Sequence, residues 1–560
     1  MRSNHQPAGA RKNPLSVLSW TQLGTSRNFV LRMTIQQCVN FRVGLLVASL
    51  VGFFIPCMAE SAPRFDATWT SLERYQCPEW FRDAKLGIWS HWGPQSVPGL
   101  GDWYARRMYQ QGGMDGGYEH HVRTYGHPSQ FGYKDVIALW KAERFEPDRL
   151  AALFWSAGAR YLVSMGVHHD NFDLWNSHHH RWNATQMGPK RDIVAAWKEA
   201  ARKRGLRFGV SEHLAASFNW FQTAHGSDVS GPLAGVPYDG ADPRWQDLYH
   251  SAVAKGGNEW YTTSETAAKI WSARITDLLD RYQPDLLWTD GGLPFGRHGR
   301  ELMAHFYNTN IARHNGQLEA VYAIKDLRYK PGCGEYRDGI AVRNMDRGRL
   351  AEIQPVPWQT SSSIGDWFYN REYKTKETGA MYRSSRWVVH TLVDIVSKNG
   401  NLLLNVVQRP DGSLDPEVER LLAELAEWMQ VNGEAIHATR PWAVFGEGPV
   451  RSTEDAPRTW VEDFAFSEKD LRFTQSKDGR FLYAIVLGWP TEGKLKIRCL
   501  AGKPGARWNR VDRVELLGRR GVLSFSQSPA GLEVDVSGAP SSTPAAVFRI
   551  TGRELYPASP

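Results

Sequence analysis

The string YQPDLLWTDGG, Tyr282 to Gly292, carries one carboxylate, Asp290, to the end of a short apolar run and into a glycine turn. An acid flanked by Trp288 and by glycines at such a place faces a pocket, where it can act as nucleophile, base or acid. Two upstream runs end in imidazoles, one at His91-Trp92-Gly93 and one at His168-His169-Asp170. Imidazoles there can donate hydrogen bonds to hydroxyls and to a carboxylate, or they can hold a metal, and His178-His179-His180 adds to the metal-like composition. Neighbours on a regular strand point to opposite faces, which sets His168 and His169 apart. The three later histidines read as a solvated turn, and no metal or other cofactor is expected.

Bringing these residues together requires elements that end at one face. A helix over Ser264 to Tyr282 precedes the strand Leu286 to Asp290. A second, Asp148 to Ala157, stops at Gly158 before the strand Tyr161 to Val167, and a third, Asp192 to Arg204, stops at Gly205 before Leu206 to Ser211. Glycine just past the last helical turn with a β-rich run behind it marks a βα repeat. Lys85 to His91, Glu319 to Ala323, Gly339 to Arg343, Gln359 to Ser363 and Asn401 to Val406 complete a set of eight strands. The expected fold is therefore α/β, a (β/α)8-like barrel over residues 64–435 with its chemistry at the C-terminal strand ends. A helix over Pro416 to Val431, with Asp415 as N-cap, closes this part. Period-two runs such as Arg480 to Val486 follow, predicting a C-terminal antiparallel β-sandwich over 440–556.

The 560 residues carry 24 Trp and a net charge of +8. Aromatic faces are platforms for the C–H faces of sugars, although most of the tryptophans read as core. Residues 1–59 hold six cationic side chains and no Asp or Glu, leaving +2 for the rest. Nucleic acid is thus no expected partner. Val43 to Ile55 is an apolar run behind Arg42, followed by Cys57-Met58-Ala59. This predicts a signal peptide cleaved near Ala59, with Met33 as the true start, an exported protein, and no membrane span in the mature chain. Cys77, Cys333 and Cys499 are too few and too scattered for a disulfide framework.

Five strings occur in one order: AKLGIWSHWGPQSVPG (84–99), GDWYARRMY (101–109), GARYLVSMGVHHDNFDLWNS (158–177), YQPDLLWTDGG and VDIVSKNGNLLLNVVQRPDGSL (393–414). In order and spacing they resemble the α-L-fucosidases of glycoside hydrolase family 29, from Phe65 to Ile550. The resemblance implies an exo-acting retaining glycosidase acting on fucosylated glycans by double displacement. It points to Asp290 as nucleophile and to His91, Asp102, Trp103, His168, His169 and Trp288 as fucose-binding residues. Asp102 stands where the family often has Glu, and Ser211-Glu212-His213 replaces a tyrosine-rich strand end. Many members carry Glu before SIGxxxxYN, where this chain has Pro357-Trp358-Gln359-Thr360. Asp346, expected just after a strand, matches an acid used by other branches and is the candidate acid/base, with Glu352 and Glu335 in reserve. Two other readings stay open: a fucose-binding protein that lost its acid at Gln359, and a metal-assisted hydrolase using His168 and His169. Gly112 to His127 and Ala224 to Pro243 read as long loops that would shape recognition beyond the fucose.

Overall fold

Eight parallel strands close on one another: β1 Leu86–Ser90, β2 Tyr161–Val167, β3 Arg207–Glu212, β4 Leu286–Thr289, β5 Val321–Lys325, β6 Val342–Asp346, β7 Trp358–Ser363 and β8 Gly400–Asn405. β1 pairs with both β2 and β8, which completes the barrel. The computed structural model describes residues 64–253, 259–450, 465–502, 509–539 and 544–556. The expected signal peptide, its cleavage at Ala59 and the start at Met33 lie outside the described residues. Among the described residues no helix is long and apolar enough to cross a membrane.

Return helices set the parallel topology. Pro147–Ser156 (α1) starts on a proline at its first position and gives way at Gly158, whose φ of 98° suits glycine. Ile193–Lys203 (α2) is capped by Asp192, whose carboxylate accepts from the Ala195 amide. Glu265–Tyr282 (α3) is capped in the same way by Ser264. Arg297–Arg313 (α4) leads into β5, and Ser385–Ser397 (α5) into β8. In Pro416–Asn432 (α6), Asp415 holds the N-cap position without capping, because its carboxylate accepts from Tyr382 Oη at 2.7 Å and from Arg409 at 2.9 Å. The stretch Gly112 to His127 is not all loop, since Gly117–Tyr125 is helical.

Two expected strands are displaced toward the C-terminus, and both displacements matter to the site. β5 begins at Val321 because the Glu319 amide is still bound to the Asn310 side chain, so the strand ends on Lys325 rather than Ala323. β6 cannot begin at Gly339, where φ is 83°; it starts at Val342 and ends on Asp346 itself.

The sandwich consists of a five-stranded antiparallel sheet, in order β13-β16-β11-β10-β9, and a three-stranded one, β12-β15-β14. The strands are β9 Thr439–Glu447, β10 Leu471–Ser476, β11 Leu482–Val486, β12 Lys494–Ile497, β13 Arg510–Leu516, β14 Phe525–Ser528, β15 Gly531–Asp535 and β16 Ala546–Arg553. Alternation on β11 serves two cores. Leu482, Ala484 and Val486 pack inside the sandwich, whereas Tyr483 and Ile485 join the apolar core of the barrel. β10 alternates likewise, with Leu471 and Phe473 inside the sandwich and Arg472 bonded to Asp394 of α5.

Candidate active site

The strand order delivers every reactive side chain to one rim. His91 follows β1, His168 and His169 follow β2, His213 follows β3, Asp290 follows β4, and Lys325 and Asp346 end β5 and β6. Position at the C-terminal ends of barrel strands is what makes these residues neighbours.

Asp290 is held from several sides. Its amide donates to the Glu212 carbonyl at 3.2 Å, and its carbonyl accepts from Trp260 Nε1 at 3.1 Å and Tyr261 Oη at 3.0 Å. Gly291 is required because φ is 144° and a Cβ there would lie 2.0 Å from Tyr261 Oη. The carboxylate, 14% exposed, meets His169 Nε2 at 3.0 Å and His213 Nδ1 at 3.4 Å through Oδ2, while Oδ1 accepts from Lys325 Nζ. Burial alone would raise its pKa, but Lys325, His169 and His213 outweigh burial and hold the carboxyl well below the usual range. Asp290 is therefore an ionised, oriented carboxylate in a nearly dry place, a state in which a carboxylate can act as a nucleophile.

Lys325 also donates to Asp346 Oδ2, so one ammonium serves both carboxylates. Its pKa is driven up by the two acids in spite of burial. The other oxygen of Asp346 accepts from Ser361 Oγ at 2.7 Å, and the side chain is 36% exposed. Asp346 thus faces solvent where Asp290 does not.

The opposite side of the rim is a nest of imidazoles. Ring centroids lie 4.5 Å apart for His168–His169 and His168–His213, 4.9 Å for His169–His213 and 5.0 Å for His91–His168. Burial, and then the charge His213 would carry, push His91 and His168 well below the usual imidazole range. Burial brings His213 down to about 4 against the pull of Asp290. Gln95 accepts from the Ala105 amide through Oε1, which turns its Nε2 to donate to His168 Nδ1 at 2.7 Å and leaves His168 Nε2 toward Asp102 at 3.5 Å. His169 presents both ring nitrogens to acceptors, Nδ1 to the His213 carbonyl at 3.0 Å and Nε2 to Asp290. His91 Nδ1 and His213 Nε2 have no hydrogen-bond partner among the described residues. Buried polar atoms in that state suit a ligand rich in hydroxyls.

Aromatic rings frame the pocket. Trp288, 1% exposed, is a floor under Trp89 and His213, at 4.6 and 5.0 Å between ring centroids. Trp103, in a left-handed backbone conformation with φ 68°, stacks on Trp260 at 6.0 Å and sets its edge against His169. Phe368 closes over His91 and His168 at 4.7 and 5.1 Å. Asp102, beside Trp103, has its pKa raised well above the ordinary value by burial and by Asp366.

Comparison with known proteins decides the lineage. Residues 53–434 match the alpha-L-fucosidase family and residues 465–551 match the alpha-L-fucosidase C-terminal domain. The chain belongs to the alpha-L-fucosidase family. It is 31% identical to the plasma alpha-L-fucosidase of Homo sapiens over 84% of this chain and 87% of that one. It is 28% identical to an alpha-L-fucosidase of Branchiostoma floridae over 86% and 93%. The crystal structure of Thermotoga maritima alpha-fucosidase in complex with fucose is similar at 28% identity with a TM-score of 0.65, covering 87% of this chain and all of that one. As a member of the alpha-L-fucosidase family the chain is a glycoside hydrolase, with the barrel and the appended sheet domain of the family's solved structures.

Within that family frame, the structure brings together Asp290, Asp346, His91, Asp102, Trp103, His168, His169 and Trp288. His168 and His169 are not on opposite faces: β2 ends at Val167 with its register slipped after Met165, and both rings turn to the same pocket. They still do not share a metal geometry. Among the described residues, the two triads with ligand atoms within 4.8 Å are His91/His168/His213 and His169/His213/Asp290, and neither holds both. Gln95 already occupies His168 Nδ1, and the Lys325 ammonium already supplies Asp290 with a cation.

Three candidates fall outside the site. Glu335 pairs with Arg300 of α4 at 2.8 Å. Glu352 is exposed, two residues before Gln354, whose backbone is tied to Lys398 and Asn399 beneath β8. Gln359 is buried low in the barrel, accepting from Tyr161 Oη at 2.9 Å and donating to Asn344 at 3.0 Å, so an acid there would not reach the rim. Of His178–His180, the first two are exposed, but His180 turns inward to the Asn171 carbonyl at 2.8 Å. Sequence reasoning missed Lys325, Gln95 and Trp260. Lys325 was one strand boundary from view.

Proposed function

We propose that the chain is an exo-acting, retaining alpha-L-fucosidase that releases terminal α-L-fucose from glycans, with Asp290 as nucleophile and Asp346 as acid/base. The observation that carries this reading is the ammonium shared by the two carboxylates. Two oxygens bound to one nitrogen are separated by no more than about two hydrogen-bond lengths, which fits the roughly 5 to 5.5 Å of retaining pairs better than the roughly 6.5 to 9.5 Å of inverting ones.

In the first step Asp290 attacks the anomeric carbon, the bond to the leaving oxygen breaks, and Asp346 gives that oxygen its proton. In the second, Asp346 takes a proton from water, the water oxygen bonds to the anomeric carbon, and Asp290 leaves as carboxylate. The glycosidic oxygen must arrive where Lys325 lies, so substrate entry shifts the ammonium toward Asp290 and frees Asp346 to hold a proton. His91 and His213 offer ring nitrogens to the fucose hydroxyls, and the Trp103–Trp260 pair offers a face to the sugar. The enclosed imidazole wall supports cleavage at a chain end.

Hydrolysis of an aryl α-L-fucoside by Asp290→Gly, with and without azide, tests the assignment. Turnover should collapse and return as β-fucosyl azide; a mutant that retains turnover, or an azide product of α configuration, would overturn it. Export after cleavage near Ala59 belongs to the same proposal, and the N-terminal residue of the mature protein, expected to be Glu60, checks it.

A further inference from the structure

The sandwich touches the barrel at a place that bears on Asp346. After β6 the chain turns sharply: the Arg347 amide donates to the Ser361 carbonyl at 2.7 Å, and Thr360 Oγ1 donates to the carbonyls of Met345 and Gly348 at 3.1 and 2.9 Å. Three residues beyond Asp346 the turn ends on Arg349, which is buried and donates to Asp394 Oδ2 of α5 at 3.3 Å. Asp394, also buried, accepts from Lys398 Nζ at 3.0 Å and from Arg472 Nε of β10 at 2.6 Å. Phe466, just ahead of β10, lies against both guanidinium groups, 5.1 Å from Arg349 and 5.0 Å from Arg472, and its ring meets His390 of α5 at 5.7 Å. A guanidinium of the sandwich and a guanidinium of the acid/base turn therefore share one carboxylate and one ring, away from solvent. Buried charge pairs of this kind cost much to break, because the remaining charge is left unpaired.

The geometry points to Arg472 as a positioning residue for the acid/base: through Asp394 and Arg349 the sandwich fixes the turn that aims Asp346 at the leaving oxygen. This rests on the reading of Asp346 given above. Asp394, Lys398 and the strand-end turn could hold the barrel without any sandwich; Arg472 and Phe466 add the link that only the second domain can supply. The consequence is specific to proton transfer. A loosened Asp346 hurts substrates whose leaving oxygen needs a proton and spares those whose leaving group departs as a stable anion.

The test compares kcat/KM for phenyl and 2,4-dinitrophenyl α-L-fucosides in the full chain, in Arg472→Met, in Arg472→Lys and in Asp346→Ala. Arg472→Met should lose about tenfold or more on the phenyl substrate and less than about twofold on the dinitrophenyl one, a fraction of the ~10²–10⁴-fold that general acid catalysis contributes. Arg472→Lys, which keeps a cation beside Asp394 and so protects the fold, should fall between. In the Asp346→Ala background Arg472→Met should cost nothing further on either substrate. Equal losses on both substrates, or full additivity with Asp346→Ala, would make Arg472 merely structural and overturn the inference. Asp346→Ala without its own leaving-group dependence would instead overturn the assignment of the acid/base, so the two failures are told apart.

Discussion

The two halves of the barrel rim work by different physics. From β1 to β3 the pocket wall is imidazole, buried and crowded so that His91, His168 and His213 are held below the usual imidazole range. From β4 to β6 it is charged, two carboxylates on one ammonium, and the charge of Lys325 holds Asp290 ionised in spite of burial. Under the proposed function a sugar would lie between a side that measures its hydroxyls and a side that breaks its bond. The contrast teaches that crowding like groups and pairing unlike ones are separate ways of fixing protonation inside a single pocket.

The largest expected break in this contrast is Asp290→Gly, which should lower kcat/KM on an aryl fucoside by on the order of 10⁴-fold or more. Next comes Lys325→Met. With its ammonium gone, the pKa of Asp290 rises, so the acidic limb of the kcat/KM profile should move to higher pH and the plateau should fall by about 10²-fold; an unmoved limb would show that the lysine does not govern the nucleophile. On the neutral side, His91→Phe should raise KM for fucosides by about tenfold, the cost of a lost buried hydrogen bond, and leave the limbs of the profile in place. A shifted limb would mean that the imidazoles are not a neutral wall.

The smallest effect is at the seam between the halves. Glu212 is buried beneath both, accepting from Thr289 Oγ1 at 2.7 Å and from the Leu214 amide at 3.0 Å, and burial pushes its carboxyl up to about 7. The folded chain holds this proton between pH 4.5 and about 7 while the unfolded chain releases it, so Glu212 lowers stability as pH rises through that window. Glu212→Gln imitates the protonated acid. Its melting temperature relative to wild type should therefore rise from pH 5 to pH 8, by the equivalent of about 1 to 3 kcal/mol.

Most of the barrel was legible because strand and helix periods, glycine stops and caps act locally. Asp290 was legible for the same reason, an acid at a strand end in a turn. The two strands that slipped, β5 and β6, have starts set by tertiary contacts: the hold of Asn310 on Glu319, and the left-handed turn at Gly339. That slip hid Lys325 and with it the charge logic of the site. The pairing of His168 with His169 was misjudged because a register slip at a strand end breaks the period-two rule. Gln359 looked like a missing acid because sequence position says nothing of depth; its partners Tyr161 and Asn344 place it below the rim. Gln95 and Trp260 act through long-range contacts that no spacing announces.

β11, with one face in each of two cores, makes the sandwich a party wall rather than an annexe. A chain cut before it would leave the barrel with a raw apolar flank where Tyr483 and Ile485 had lain, and damage to the sheet would reach the enzyme as lost abundance before it was felt as lost chemistry. For a molecule built this way, a sheet that supplies none of the rim side chains described above still decides how much enzyme there is to meet the sugar.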